Sequence, residues 1–341
     1  MNGYEINFDH SLGLAICLIA SIPFLGFACW QGESKLVSRV AGWSLVVGSV
    51  GIVEWLCREQ PAGTRMLLII VALLWSMKSV VVNEARLLRV AHRLSFFQWM
   101  AFSLAWPGMR PGLFKRLPNS RVGDFATYIQ RGLVRMSLGT ACFSLAYLIW
   151  NRYELQFPTS VSLFELFPPN LIVVCTLLVM MSFSLIIHFG LFNILTGVWR
   201  YFGVKCNVLF VAPFASTSLT EFWGQRWNLA FSEMTVQAVY RPVKQAFGKS
   251  AGTYAGFIFS GLLHELAISV PAKAGWGFPM LYFLLHGFAM HLESQYLKRY
   301  EWFNNRSGLG RIWTLMWLLV PLPILFHGPF LAGCVWPLLC W

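Results

Sequence analysis

The segment FSGLLHELAISVPAKAGWGF, residues 259–278, places a histidine and a glutamate side by side within an apolar run. A helix that crosses a bilayer needs roughly 20 mostly apolar residues, and this run is long enough. An ionisable side chain at that depth costs a few kcal/mol unless it is paired or faces a polar cavity. The segment therefore predicts a transmembrane helix in which His264 and Glu265 have a function that offsets their burial.

The composition of the whole chain agrees with a membrane environment. The 341 residues are 57% hydrophobic and only 12% charged, and the mean hydropathy is +0.60. Soluble domains carry roughly 25% charged residues, so we expect an all-α, polytopic integral membrane protein. Lys and Arg lie in short segments between apolar runs, so the net charge of +12 indicates anionic lipid and an acidic substrate as partners, and no nucleic acid.

Eight apolar runs are candidate spans, and we expect about eight or nine transmembrane helices together with interfacial amphipathic helices. The fifth and the last run are long enough to be a bent helix or a pair, and prolines predict breaks in the last. The first span should be retained, because the N-terminus lacks the basic region of a cleaved signal peptide. No internal repeat is evident, so residues 1–341 are expected to form one integral domain. The runs are 11–30, 38–57, 64–83, 133–150, 168–199, 251–271, 275–292 and 311–340.

Three connecting regions differ from the apolar runs. Residues 84–135 are basic, which predicts a cytosolic location, and residues 294–311 are basic again and so are placed on the same side. Residues 216–250 have apolar side chains every three or four positions, which predicts an amphipathic helix at the interface. The basic residues of the first region are Arg86, Arg89, Arg93, Arg110, Lys115, Arg116, Arg121, Arg131 and Arg135.

The ionisable residues inside the runs are the first candidates for chemistry. No zincin motif is present, because Ile268 stands where HExxH needs its second histidine. His286 and His291 are five residues apart and point about 140° away from each other on a helix, so we expect no metal site. The eight cysteines have no metal-type spacing and are interpreted as free thiols. The ionisable candidates are Glu54, Lys78, His188, His264, Glu265, His286, His291 and Glu293, with His327 as a weaker addition.

Three roles remain open for His264. Ser260 precedes it by one helical turn, so a serine nucleophile with a histidine base is one hypothesis, although no GxSxG elbow is present. In the second hypothesis the imidazole is a general base that takes a proton from a substrate hydroxyl. In the third it is a packing residue bonded to a polar neighbour.

The segment EFWGQRWNLAF, residues 221–231, adds a second group of candidates. The amide of Asn228 could donate a hydrogen bond to a developing oxyanion or to a substrate carbonyl. The alternative interpretation makes Trp223 and Trp227 anchors in the interfacial aromatic belt and Asn228 an ordinary interfacial residue.

Taken together, these segments resemble the wax-synthase-like branch of the membrane-bound O-acyltransferase (MBOAT) superfamily. FASTSLTEFWGQRWNLAF (214–231) is similar to the signature of that branch, and SGLLHELAISVP (260–271) is similar to the histidine-bearing helix that follows it. Further similar segments are AWPGMRP (105–111), HFGLFNILTGVWRYFGV (188–204) and LYFLLHG (281–287). In the order of the family they cover a core of about residues 105–290.

The resemblance implies acyl transfer from acyl-CoA to a hydroxyl in a central catalytic tunnel, with no metal, no permanently bound cofactor and no covalent acyl-enzyme. It places the catalytic base at His264 and the residue that positions the thioester or its oxyanion at Asn228. Contacts with acyl-CoA or the second substrate would come from the residues near this pair, with Glu265 as a supporting partner and His286 as a tunnel-lining residue. The expected binding residues are Trp223, Arg226, Trp227, Glu265 and His286.

The favoured activity is the synthesis of wax-type esters from acyl-CoA and a long-chain or other lipophilic alcohol. The same chemistry on a diacylglycerol, a sterol or the hydroxyl of a secondary metabolite is the first alternative, and a non-catalytic lipid transporter is the second. Hydropathy does not distinguish a bacterial inner membrane from the endoplasmic reticulum, and it does not give the oligomeric state.

Overall fold

The computed structural model describes residues 5–32, 34–87, 93–115, 121–156, 171–296 and 308–340. This part of the chain is helical and contains no strand. Contacts within the chain form two compact units: the first comprises Met1–Phe157, Pro169–Val208 and Ala332–Trp341, and the second Pro158–Pro168 and Leu209–Leu331. Arg89, Arg116 and most of the basic region 294–311 lie outside the described residues.

The described part of the first unit contains seven α-helices. A π-helical turn, Ser184–Leu191, joins the last two, so that the fifth predicted span is one continuous run of 31 residues. The helices are α1 (His10–Cys29), α2 (Lys35–Leu56), α3 (Ala62–Leu87), α4 (Phe96–Ala105), α5 (Phe125–Arg152), α6 (Leu171–Phe183) and α7 (Phe192–Tyr201).

Seven helical runs in the described residues are long and apolar enough to cross a membrane, which confirms an integral multi-pass membrane protein. They coincide with seven of the eight predicted spans. The exception is the predicted span 275–292, which forms a helix but does not reach the hydropathy of the other seven.

Two ionisable residues of the first unit have structural partners. Glu54 forms an ion pair with Arg65. The buried Lys78 donates hydrogen bonds to the carbonyls of Trp106 and Gly108, at 2.7 and 2.6 Å, and its ammonium lies 4.0 Å from the centre of the Phe102 ring. Polar partners of this kind offset much of the cost of charge at membrane depth.

Glycines bring α5 close to the run formed by α6 and α7. A methyl group added at Gly197 would lie 2.7 Å from the Phe125 carbonyl oxygen, and one added at Gly132 would lie 2.8 Å from the Gly190 oxygen. Backbones can approach this closely only where the side chain is absent, which is the usual basis of tight helix packing in membranes.

The described part of the second unit contains eight further α-helices, several of them short. Pro321, Pro323 and Pro329 lie at the starts of short helices, which confirms the predicted breaks in the last apolar run. The helices are α8 (Leu219–Glu221), α9 (Leu229–Thr235), α10 (Arg241–His264), α11 (Val270–Ala272), α12 (Phe278–Gln295), α13 (Gly308–Leu319), α14 (Leu322–Leu325) and α15 (Gly328–Phe330).

The segment 216–250 is not the single amphipathic helix that its apolar spacing predicts. It forms α8, a π-helical turn at Phe222–Arg226, a break at Trp227 and Asn228, and then α9. A second π-helical turn, Val236–Tyr240, leads into α10, which is kinked where Gly248 has a φ of 86°. The break occurs because Asn228 has left-handed backbone angles, with φ 42° and ψ 63°, which cannot continue a right-handed helix.

Candidate functional site

A buried carboxylate fixes the start of the segment that carries Asn228. Glu293 of α12 is fully buried and accepts hydrogen bonds from the backbone N–H of Leu219 at 2.7 Å and from the Thr220 hydroxyl at 2.7 Å. The first N–H groups of a helix have no partner within the helix, so a carboxylate at this position satisfies them. Glu293 thereby anchors α8 to α12.

A second acidic residue holds the turn that follows. Glu221 accepts a hydrogen bond from the Thr217 N–H at 2.8 Å and forms a 2.7 Å ion pair with Arg226. Arg226 also donates to the carbonyls of Val211 and Ala212. Burial raises the pKa of Glu221, but the hydrogen bonds from Thr217 and Arg226 outweigh it and lower the pKa below its ordinary value.

Asn228 is the N-cap of α9. Its Oδ1 accepts a hydrogen bond from the backbone N–H of Phe231 at 3.2 Å, while the backbone of Leu229 donates to the Leu209 carbonyl at 2.9 Å. Asparagine is among the few residues that both cap a helix and tolerate left-handed angles. Its Nδ2 makes no hydrogen bond with the described part of the chain and is not enclosed, so this amide is free to donate to a ligand.

His264 is the last residue of α10, and a π-helical turn, Glu265–Ser269, follows it directly. Its Nδ1 lies 2.7 Å from the Ser260 carbonyl oxygen. A carbonyl oxygen can only accept, so Nδ1 carries the proton and Nε2 carries the lone pair. Within the described residues Nε2 has no hydrogen-bond partner and is not enclosed, which leaves it available as a base.

Phe231 connects the two candidate catalytic residues. Its backbone N–H bonds to Asn228, and its ring centre lies 6.0 Å from that of His264. The ring centre of Phe283 is 4.3 Å from that of His264, and the ring centre of Trp223 is 5.6 Å from that of Phe283. The aromatic rings hold the imidazole in place without offering it a second hydrogen-bond partner.

Ser260 contacts His264 through its backbone carbonyl and Nδ1, whereas a serine nucleophile would need a bond from its hydroxyl to Nε2. This geometry gives Ser260 the role of fixing the tautomer and the ring orientation of His264.

His286 has the same local bond as His264 but a different environment. Its Nδ1 lies 2.9 Å from the Tyr282 carbonyl, and the residue is fully buried. Its Nε2 is enclosed next to the Trp317 backbone without a hydrogen bond of ordinary geometry, and the Trp223 ring packs edge-on at 5.4 Å between ring centres. The buried His286 ring therefore packs against the Trp223 ring and helps to hold it in position.

Glu265 stabilises the start of α12. Its Oε1 accepts a hydrogen bond from the backbone N–H of Met280 at 3.1 Å, and its Oε2 is buried without a hydrogen bond in the described chain. Because Met280 lies in the first turn of α12, the carboxylate also interacts favourably with the helix dipole.

The predicted binding residues Trp223, Arg226 and Trp227 lie next to Asn228 in the chain. The Trp227 ring stacks on Phe222 at 5.5 Å between ring centres, and the guanidinium of Arg226 is held by Glu221 and two carbonyls. They stabilise the turn before Asn228, and their contact with acyl-CoA stays a prediction.

Sequence reasoning missed the contributions of Phe231 and Phe283, because apolar residues of a span carry no signal that separates contact with an imidazole from ordinary packing. It placed Glu293 among the intramembrane ionisable residues but missed that this carboxylate anchors α8. The spacing of 73 or 74 residues between Glu293 and its partners gives no local pattern.

Residues 206–285 match the Membrane bound O-acyl transferase family, a segment that includes both His264 and Asn228. The chain is 34% identical over 146 residues to probable long-chain-alcohol O-fatty-acyltransferase 6 of Arabidopsis thaliana, covering 37% of this chain and 41% of that protein. It is 34% identical to probable long-chain-alcohol O-fatty-acyltransferase 2 of the same plant, covering 39% and 41%.

A third relative, acyl-CoA–sterol O-acyltransferase 1 of Arabidopsis thaliana, is 29% identical over 133 residues, covering 36% of this chain and 38% of that protein. The chain thus spans about two fifths of the length of the relatives it matches. These similarities confirm the resemblance to the MBOAT superfamily and to its wax-synthase-like branch.

Proposed function

We propose that this protein is a membrane O-acyltransferase that transfers a fatty acyl group from acyl-CoA to the hydroxyl of a lipophilic alcohol, forming wax-type esters. The observation that carries the proposal is the state of the His264 side chain. Its Nδ1–H is used by the Ser260 carbonyl, so that its one basic nitrogen, Nε2, is the accessible one.

In the proposed reaction, Nε2 of His264 takes the proton of the alcohol while the alcohol oxygen attacks the thioester carbonyl carbon. The Ser260 carbonyl favours the imidazolium that forms, because a hydrogen bond from a charged donor is stronger than one from a neutral donor. When the carbon–sulfur bond breaks, the CoA thiolate leaves and takes the proton from Nε2. The imidazole is thus regenerated in its neutral form, and the products are the ester and the CoA thiol.

Asn228 is proposed to stabilise the charge that develops on the carbonyl oxygen. Its Oδ1 is used by the helix cap, which orients the remaining Nδ2–H donors and leaves them unbonded in the described chain. A donor that is already fixed by the fold needs little reorganisation when the oxyanion forms, and this is the usual source of its catalytic effect.

Acyl transfer to a long-chain alcohol is supported by the names of two relatives that the chain resembles, and by the apolar and aromatic neighbours of His264. A sterol is the second candidate acceptor, because one relative is named as an acyl-CoA–sterol acyltransferase. Both acceptors present the same hydroxyl chemistry to Nε2.

The test is an ester-forming assay with membranes that contain the protein. Radiolabelled acyl-CoA is supplied with a fatty alcohol, a sterol or a diacylglycerol, and lipid products are separated by chromatography. Labelled wax ester from wild type and none from His264→Ala is the expected result. If sterol ester or triacylglycerol were the main product, the acceptor would be a sterol or a diacylglycerol and not a long-chain alcohol. Lipid movement across the membrane without any ester would favour a transporter and overturn the proposal.

A further inference from the structure

Two arginines on the surface of α5, Arg131 and Arg135, have no acidic partner among the described residues. Arg131 is exposed and Arg135 partly exposed, and neither forms an ion pair with any residue in the part of the chain that the structure describes. The guanidinium of Arg135 lies 5.8 Å from the centre of the Phe189 ring, which orients it without neutralising it. This contrasts with Arg200, which is paired with Asp124 at 2.6 Å.

Apolar side chains lie next to the two arginines on α5. Val134 and Leu138 are 55% and 54% exposed, as expected for a membrane helix whose surface contacts acyl chains. Arg131 and Arg135 lie about 9 and 15 Å along the helix from Phe125, at 1.5 Å per residue, and so belong to the N-terminal half of the candidate span Phe125–Arg152. A charged side chain on an exposed face of a membrane helix is stabilised when its head reaches a polar group near the membrane surface.

The spacing of the arginines suggests what that group is. Residues four apart on a helix are neighbours, and two like charges there repel each other unless an anion lies between them. A groove of about 230 Å³ is lined by Gln130, Arg131, Val134 and Arg135. A phosphate can accept from both guanidinium groups and from the Gln130 amide, and Val134 offers an apolar edge to the chain attached to it.

We propose that this groove on α5 binds the phosphodiester headgroup of an anionic phospholipid from the surrounding membrane. The predicted cytosolic location of the basic region 84–135 agrees, because the cytosolic leaflet carries the anionic lipids. The site lies in the first compact unit, and its occupant is a membrane lipid and not a reactant of the proposed acyl transfer.

The test compares lipid retention by purified proteins reconstituted in mixed phosphatidylcholine and phosphatidylglycerol nanodiscs, with bound lipid counted by native mass spectrometry. Wild type should retain phosphatidylglycerol in preference to phosphatidylcholine. The Arg131→Gln, Arg135→Gln double variant should lose that preference, by about fivefold for each charge removed. Arg152→Gln, an exposed arginine at the other end of α5, is the matched control and should behave as wild type.

Two further experiments distinguish a lipid phosphate from a soluble phosphate and control for misfolding of the double variant. Displacement of phosphatidylglycerol by inorganic phosphate, or by coenzyme A, would identify a site for soluble phosphates and overturn the lipid assignment. The single Arg131→Gln variant removes only the more exposed charge and should show the intermediate loss. Equal phosphatidylglycerol preference in wild type and in the glutamine variants would also overturn the proposal.

Discussion

Replacing Asn228 separates its role as a helix cap from its proposed role as a hydrogen-bond donor. Glycine, aspartate and alanine each remove the Nδ2–H donors, but they differ in what they do to the cap and to the left-handed backbone. The alanine variant should therefore be less stable than the other two, whereas in the proposed mechanism all three have the same catalytic defect.

The expected stabilities follow from the geometry. Asparagine to glycine at an N-cap costs a few tenths of a kcal/mol, and glycine adopts a φ of 42° without strain. Aspartate keeps an acceptor for the Phe231 N–H and favours a helix N-terminus, so it should cost about as little. Alanine loses the cap, about 1 kcal/mol, and pays a further 1–2 kcal/mol for the left-handed conformation, so we expect about 2–3 kcal/mol in total.

Activity should follow a different order. Loss of one oxyanion donor typically lowers kcat by about 10²- to 10³-fold, and all three variants lose it. Thermal unfolding in detergent measures stability, and initial rates of labelled ester formation measure activity in the same preparations. If Asn228 were only a cap, Asn228→Gly would keep nearly wild-type activity and Asn228→Ala would be the weakest variant. That order would refute the reasoning.

Three further predictions test the surrounding structure. Ser260→Ala should keep wild-type ester formation, because its backbone carbonyl still bonds to the histidine, whereas an inactive variant together with a trapped acyl-serine in wild type would contradict this. Gly197→Ala should destabilise the protein by about 1–3 kcal/mol in thermal unfolding through overpacking against α5, whereas Gly48→Ala, with open space around it, should not. Glu221 has a lowered pKa, so it contributes stability above the ordinary glutamate pKa and loses it as the pH falls through the lowered value. Thermal unfolding measured at decreasing pH should show this loss of stability in wild type but not in a Glu221→Gln variant. The same pH dependence in both proteins would contradict the prediction.

Some of this structure follows from local rules. Long apolar runs give the membrane helices, and the prolines in the last run break it because they cannot continue a helix. His264 could be identified as a candidate because an intramembrane imidazole needs a reason to be there. The bond from Nδ1 to Ser260 is also local, since residues four apart share a helix face.

Other features depend on contacts that no local pattern contains. The apolar spacing of 216–250 predicts one helix, but the left-handed Asn228 divides it, and the anchor of α8 is Glu293, more than 70 residues away. In the same way, Phe283 and Phe231 are ordinary apolar residues until the fold brings their rings to His264. Hydropathy identifies spans but not which of their side chains face the site.

The central claim is that Nε2 of His264 acts as the base for ester formation, and the most direct measurement compares two histidine variants. His264→Gln and His291→Gln each replace an imidazole with a neutral amide, and His291, on α12, packs beside Tyr254 without a place in the proposed chemistry. With acyl-CoA and a fatty alcohol supplied in excess, His264→Gln should lose about 10²- to 10⁴-fold in rate. His291→Gln should keep the wild-type rate. Equal rates of ester formation by both variants, in correctly folded protein, would contradict the account.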